Sequence, residues 1–199
     1  MAFEITLVSM PLNTSARQHG RVTTDKQRRA VFPGSFNPLT VAHLEIARLA
    51  RERHDLDEVH LAVSIRALDK PHPPGPSFDE RITILQADAK AFDWLEVFVT
   101  ERQLIADIAE GFDAVIMGAD KWQQVNDVAY YADAAHRDAA IACLPTVVVA
   151  ERSGLPLSGV DVLQTPEGLQ RVSSTRARGG ETELMAPEAR KRWSAGENS

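Results

Sequence analysis

Two short runs of this chain combine residue types that handle phosphate. The first is FPGSFNPLTVAH, residues 32–43. Ala30, Val31 and Phe32 end a short apolar strand, Gly34 and Ser35 make a small-residue turn, Asn37 with Pro38 fixes its course, and an amphipathic helix continues from Ala42. Such a junction leaves backbone N–H groups unpaired at a helix start, aimed at whatever sits above the strand ends. Glycine at 34 would let a ligand approach the backbone closely. Thr40 and His43 lie three residues apart on the incipient helix and share a face, so a hydroxyl and an imidazole could converge on one phosphate. A glycine turn also serves packing alone in many α/β proteins, and these residues in isolation leave both readings open. The second run is VSSTRAR, residues 172–178. Serine and threonine ahead of a helix are ordinarily caps. Ser173, Ser174 and Thr175, with Arg178 one turn on, also make an anion cradle whose charge-assisted hydrogen bonds would hold the distal phosphates of a nucleotide.

Both runs need a scaffold, and the intervening sequence predicts an α/β one. Mostly β-branched, strand-length apolar runs fall at 30–32, 59–64, 95–99, 114–117, 146–150 and 160–163, with helical segments between them. The clearest helix follows Ser77, with Glu80 three residues later in a capping-box pattern. Short apolar strands separated by helices imply a Rossmann-like doubly wound parallel sheet, covered on both faces, that binds ligands beyond the carboxyl ends of its strands. The 199 residues fit one domain, 29–199, with a C-terminal helical tail around 187–193 that docks by Trp193. Residues 1–28 read as an N-terminal extension: FEITLVSM could add a strand, and the polar stretch after it reads as a flexible lead-in. The proline-rich loop at 71–76 is stiff and non-helical.

Net charge −6 and a pI near 5.5 argue against nonspecific binding to nucleic acid or an anionic membrane, so positive charge must be concentrated at the site. Cys143 is the only cysteine, which excludes an internal disulfide or a cysteine metal cluster and fits a reducing cytoplasm. The longest apolar stretches are of strand length, far short of the ~20 residues of a spanning helix. The remaining histidines lack metal-ligand spacing, and no protein metal ligands are expected.

Taken together, the two runs resemble the nucleotidyltransferase superfamily, whose members carry a G-x-F-D-P-x-[HT]-x-G-H motif and a C-terminal S-S-T-x-x-R motif. Here these stand as Gly34-Ser35-Phe36-Asn37-Pro38-Leu39-Thr40-Val41-Ala42-His43 and Ser173-Ser174-Thr175-Arg176-Ala177-Arg178. Phe32 to Phe36, with Thr40 in the first histidine's place, most resembles the pantetheine-phosphate branch. Met117 to Asp120, the segment Val149 to Gly154 and the Ser-Ser-Thr run look more like the nicotinate or nicotinamide mononucleotide branch. The resemblance implies adenosine near Gly118 and Asp120, phosphates between His43, Ser174, Thr175 and Arg178, and Lys70 in the place of a lysine that meets the transferring phosphate. Gly34, Ser35, Phe36 and Ser173 complete the implied nucleotide site. Arg81, in a carboxylate-rich helix, reads as a surface ion-pair residue, and Arg152 as a loop anchor. Trp122, Tyr130 and Tyr131 could stack on a base, although core roles are commoner for such aromatics.

The reaction this implies moves an adenylyl group from ATP to a phosphate-bearing acceptor, most readily nicotinate or nicotinamide mononucleotide, and releases pyrophosphate. Mg²⁺ would be held mainly through substrate phosphates, and Thr40, His43, Lys70 and Arg178 would act in catalysis. Phosphopantetheine adenylylation and cytidylyl transfer are the alternatives within the class, and a homo-oligomer is left open. Three departures stand out: Asn37 for aspartate, Thr40 for histidine and Ala42 for glycine. The first and last also suit a nucleotide-binding sensor that has lost turnover.

Overall fold

The computed structural model describes residues 26–65, 75–152 and 157–196. Six parallel strands form one sheet: β1 (Arg29–Pro33), β2 (Glu58–Ser64), β3 (Leu95–Thr100), β4 (Ala114–Gly118), β5 (Thr146–Ala150) and β6 (Asp161–Leu163), ordered β3-β2-β1-β4-β5-β6. Each lies within one residue of the boundaries read from the sequence. The helices are α1 (Val41–Arg53), α2 (Phe78–Ala89), α3 (Ile105–Ile108), α4 (Ala119–Asn126), α5 (Ala134–Ala142), α6 (Ser174–Arg178) and α7 (Pro187–Gly196).

Alternation along the strands divides the core in two. Ala30 and Phe32 of β1, Ile116 of β4 and Val148 of β5 pack with Ala47 and Ala50 of α1, Leu85 and Ala89 of α2, and Ala189 of α7. Val31, Val115, Met117 and Val149 point to the opposite face, against Ile108 of α3 and Ala119 and Val125 of α4. Burial on both faces is why these strands read as continuous apolar runs. The chain leaves β1 toward β2 on one side and later returns to β4 on the other. The strand order therefore reverses between β1 and β4, and a crevice opens beyond their carboxyl ends.

Two caps fix α2 and α7. Ser77 Oγ accepts from Glu80 N (3.3 Å) and the Glu80 carboxylate accepts from Ser77 N (2.9 Å), completing the capping box of α2. Asp88, near the end of α2, is buried and accepts from the backbone N–H groups of Glu188 (2.8 Å) and Ala189 (3.2 Å) in the first turn of α7. A carboxylate of one helix thus satisfies the orphan donors of another and docks α7, with Trp193, onto the first core. Lys26, Gln27 and Arg28 tie onto Asp113, Glu58 and Asp57 at the amino ends of the strands. The FEITLVSM segment, Lys70 and prolines 71, 73 and 74 lie outside the described residues. Among the described residues no helix is long and apolar enough to cross a membrane.

Candidate functional site

The phosphate turn leaves β1 at Pro33. Gly34 N–H continues the ladder by donating to Ala62 O (3.0 Å), whereas the N–H groups of Ser35 and Phe36 have no partner among the described residues. Phe36 has φ +42°, a left-handed conformation that is strained for a bulky residue. Its ring turns back against Phe32 and His43 and the residue is 2% exposed, while Ser35 is exposed at the rim. A Cβ on Gly34 would stand 2.7 Å from Phe36 Cζ. The close approach that demands glycine here is therefore made by the protein's own ring rather than by a ligand. The next peptide bond, Asn37–Pro38, is cis.

Thr40 is the N-cap of α1 and is fully buried. Its hydroxyl lies 2.8 Å from His43 Nδ1 and accepts from His43 N (3.4 Å), while Thr40 N–H donates to the same Nδ1 (3.1 Å). The hydroxyl and the imidazole therefore meet each other and do not converge on a common phosphate: Thr40 is sealed from the crevice and acts by orienting the ring. A histidine here takes the third position of a capping box, where glutamate or glutamine usually stands. Because a backbone N–H donates to Nδ1, that nitrogen must be an acceptor, and the neutral ring carries its proton on Nε2. Among the described residues Nε2 has no partner, and it is not sealed from solvent. Phe36 (5.2 Å) and Phe32 (6.0 Å) hold the ring edge-to-face. Burial, with a smaller contribution from the Arg152 guanidinium, lowers the His43 pKa to about 4. At neutral pH the crevice thus receives a fixed, uncharged N–H donor. The Ala42 methyl is buried (4% exposed), turned into the protein rather than toward a ligand.

The C-terminal run fastens onto this turn from outside. Ser173 caps α6, its Oγ accepting from Arg176 N (3.2 Å). Ser174 Oγ donates to Pro38 O (2.8 Å), Arg178 Nη1 donates to Asn37 O, and Ala186 N donates to Leu39 O (3.0 Å). Three consecutive carbonyls of the turn are thereby held by one C-terminal arm. The Ser174 proton is committed to Pro38, while Arg178 keeps further donors and reaches Thr175 Oγ1 at 3.4 Å.

Across the switch point, Gly118 ends β4, and a Cβ built on it meets nothing within 4 Å. Its side-chain position is open crevice. Asp120, in the first turn of α4, forms an ion pair with Arg152, whose Nε donates to Gln170 O (3.4 Å). Arg152 anchors a loop, as expected, but the sequence reading missed that it also lies within electrostatic reach of His43. Its position just past the carboxyl end of β5 was the available signal. Arg81 differs from expectation: among the described residues it has no ion pair, and its guanidinium lies 5.3 Å from the Phe78 ring centroid, half-buried. Trp122 packs, partly buried, against the second core, and Tyr131 OH donates to Val125 O (3.0 Å).

The chain matches the cytidylyltransferase-like family over residues 31–180. It is 35% identical over 99 residues to the phosphopantetheine adenylyltransferase of Nitratidesulfovibrio vulgaris, covering 46% of this chain and 50% of that one. It is 29% identical over 144 residues to the "Probable nicotinate-nucleotide adenylyltransferase" of Geotalea uraniireducens, covering 66% and 63%. The chain spans about half the length of several of the curated relatives it matches. In structure it resembles Plasmodium falciparum nicotinic acid mononucleotide adenylyltransferase complexed with NaAD, with TM-score 0.55, 12% identity and coverage of 77% of this chain and 83% of that one. That likeness establishes the Rossmann-like fold. The match over residues 31–180 takes in the phosphate turn, the switch point and the Ser-Ser-Thr-x-x-Arg arm, and the chain belongs to the cytidylyltransferase-like family.

Proposed function

We propose that this protein is a nucleotidyltransferase that moves an adenylyl group from MgATP to a phosphate-bearing acceptor. The observation that carries the reading is the His43 ring, locked by Thr40 as an Nε2–H donor beside two unpaired amides at the sheet's switch point. An acceptor phosphate monoester, dianionic above a second pKa of ~6, attacks the α-phosphorus. The new P–O bond forms as the bond from the α-phosphorus to the α,β-bridging oxygen breaks, and pyrophosphate leaves with the electron pair. No protein nucleophile or base is needed. Alignment of the two substrates can supply on the order of 7–11 kcal/mol of the barrier. His43 Nε2–H and Arg178 then stabilise charge on the transferring group. Mg²⁺ arrives as part of the triphosphate substrate, with phosphate and water oxygens as its ligands. Among the described residues no three His, Cys, Asp or Glu side chains stand together as a ligand set of their own. Lys70 would join the phosphates from the segment after β2, and Asp120 would turn from Arg152 to the ribose.

For the acceptor we favour nicotinate or nicotinamide mononucleotide, on the Gly118-Ala119-Asp120 element and the Geotalea relative. Phosphopantetheine is the second reading, favoured by Thr40 in the phosphate turn and the Nitratidesulfovibrio relative. The deciding assay gives the purified protein MgATP or MgCTP with each mononucleotide, phosphopantetheine or a small alcohol phosphate, and measures pyrophosphate. Release with one acceptor is the expected result. Tight nucleotide binding with no release from any pair would make the protein a sensor instead.

Gly118→Ala separates this reading from a packing role. Among the described residues nothing opposes the added methyl and the backbone is extended, so the cost is that of alanine for glycine at the N-cap of α4, about 1 kcal/mol or less. The methyl would occupy crevice space, and MgATP affinity measured by calorimetry should fall at least several-fold. Unchanged affinity would place the nucleotide elsewhere.

A further inference from the structure

Behind the phosphate turn, where α2 and α7 pack against it, two residues that line one small pocket each carry a buried polar atom with no partner among the described residues. Asn37 is 2% exposed, and its Oδ1 makes no hydrogen bond among the described residues. Arg81 Nε, on α2, is likewise buried and unbonded. Both residues line the same partly open, largely apolar pocket of about 10 Å³, together with Pro38, Leu85 and Trp193. One atom only accepts and the other only donates. Buried groups of this kind are almost always satisfied, and the space is about the smallest that admits one water molecule. A single water accepts from Nε and donates to Oδ1, which satisfies both.

We propose that Arg81 is a positioning residue of the phosphate turn, joined to Asn37 through one bound water. The link matters because Asn37 is the residue whose carbonyl is held by Arg178 on its other flank. Its side chain and its backbone are thus fixed from two directions, by α2 and by the C-terminal arm, while Phe36 beside it sits in a strained conformation that needs such support. The same arrangement accounts for an asparagine where the resemblance has aspartate: the water lets a neutral amide fill the position without leaving the guanidinium's Nε unpaired. The consequence for nucleotide binding rests on the function proposed above; the contact itself does not.

The test begins with a crystal structure of the unmodified protein, in which one ordered water within hydrogen-bonding distance of both atoms is expected. A dry space, or direct contact between the two side chains, overturns the proposal. A double-mutant cycle then compares Arg81→Met, Asn37→Leu and both together. Each single change orphans the other group, whereas the pair removes both, so the double variant should be more stable than the sum of the singles predicts. Additive melting-temperature shifts would count against the link. Asn37→Asp supplies a variant of different sign: it should fold well opposite Arg81 and poorly in the Arg81→Met background, and equal behaviour in both would again refute the coupling. Amide exchange distinguishes positioning from general stability. In Arg81→Met, the amides of Phe36 and Asn37 should exchange about tenfold faster relative to those of β4, and a uniform change across both sets refutes a local role. MgATP affinity of Arg81→Met should fall in parallel. If the unmodified protein binds no MgATP, the nucleotide reading fails while the water, the cycle and the exchange still decide on Arg81.

Discussion

Replacing His43 by alanine is expected to lower the rate of pyrophosphate release by roughly 10²–10³ with much less effect on MgATP binding, the signature of a donor that matters most in the transition state. The structure makes this change specific. Thr40 fixes the ring from one side through Nδ1, and two phenylalanines fix its plane, so the Nε2–H points out of the protein without reorganisation. Long-range proton–nitrogen spectra should show the Nε2–H tautomer at neutral pH, and a free protein with the proton on Nδ1 would contradict the geometry. The pKa adds a stability signature. The ring titrates at about 4 when folded against 6.5 ordinarily, so as pH falls the unfolded chain takes up a proton that the folded chain resists. The neutral-ring contribution is complete above about pH 6.5 and is lost as pH drops toward 4. Urea titrations at pH 7 and pH 5 should therefore show a stability loss on acidification that His43→Ala diminishes. The same alanine should also cost about 1 kcal/mol at pH 7, because the Thr40 amide loses its capping partner.

Gly34→Ala should damage both stability and turnover, although glycine 34 has no positive φ to defend. The added methyl would lie 2.7 Å from Phe36 Cζ and 2.9 Å from Cε1. That neighbour cannot swing aside: it is 2% exposed and meets Phe32 at 5.6 Å and His43 at 5.2 Å. Forcing the ring outward is an overpacking cost of about 1–3 kcal/mol. Because the same ring supports His43, its displacement should also reduce turnover on the order of 10²-fold. Trimming the obstacle provides the control. Gly34→Ala in a Phe36→Leu background should recover part of the lost urea midpoint, and failure to recover any would locate the damage in the backbone. The contrast with Gly118→Ala is the point: one glycine is required by a neighbouring ring, and the other faces open space.

The centre of the sheet was legible because β1 and β4 are buried on both faces and bounded by polar or glycine residues, so a run such as residues 114–117 reads as a strand. The capping box at Ser77 was legible because both of its partners lie within one helical turn. Site residues were legible by type but not by role. Helical spacing puts Thr40 and His43 on one face, yet it does not say that the hydroxyl will be consumed by the imidazole. Arg81 sits among carboxylates in sequence but turns away from them onto Phe78, a choice made by the packing of α2 against the turn. Gly34 announces a close approach without saying to what. In each case the missing information is a tertiary neighbour that local pattern does not encode.

The three bonds that the C-terminal arm makes to Asn37, Pro38 and Leu39 also set an order of events on the ribosome. Ser174 follows Pro38 by 136 residues and Arg178 follows Asn37 by 141, an interval on the order of ten seconds of synthesis. During that time β1, β2 and β3 can pair, but the carbonyls of the phosphate turn have no arm to hold them. A chain cut short before residue 174 would have every strand of the sheet and none of these three bonds. On the function proposed above, competence to hold a triphosphate would arrive only with the arm.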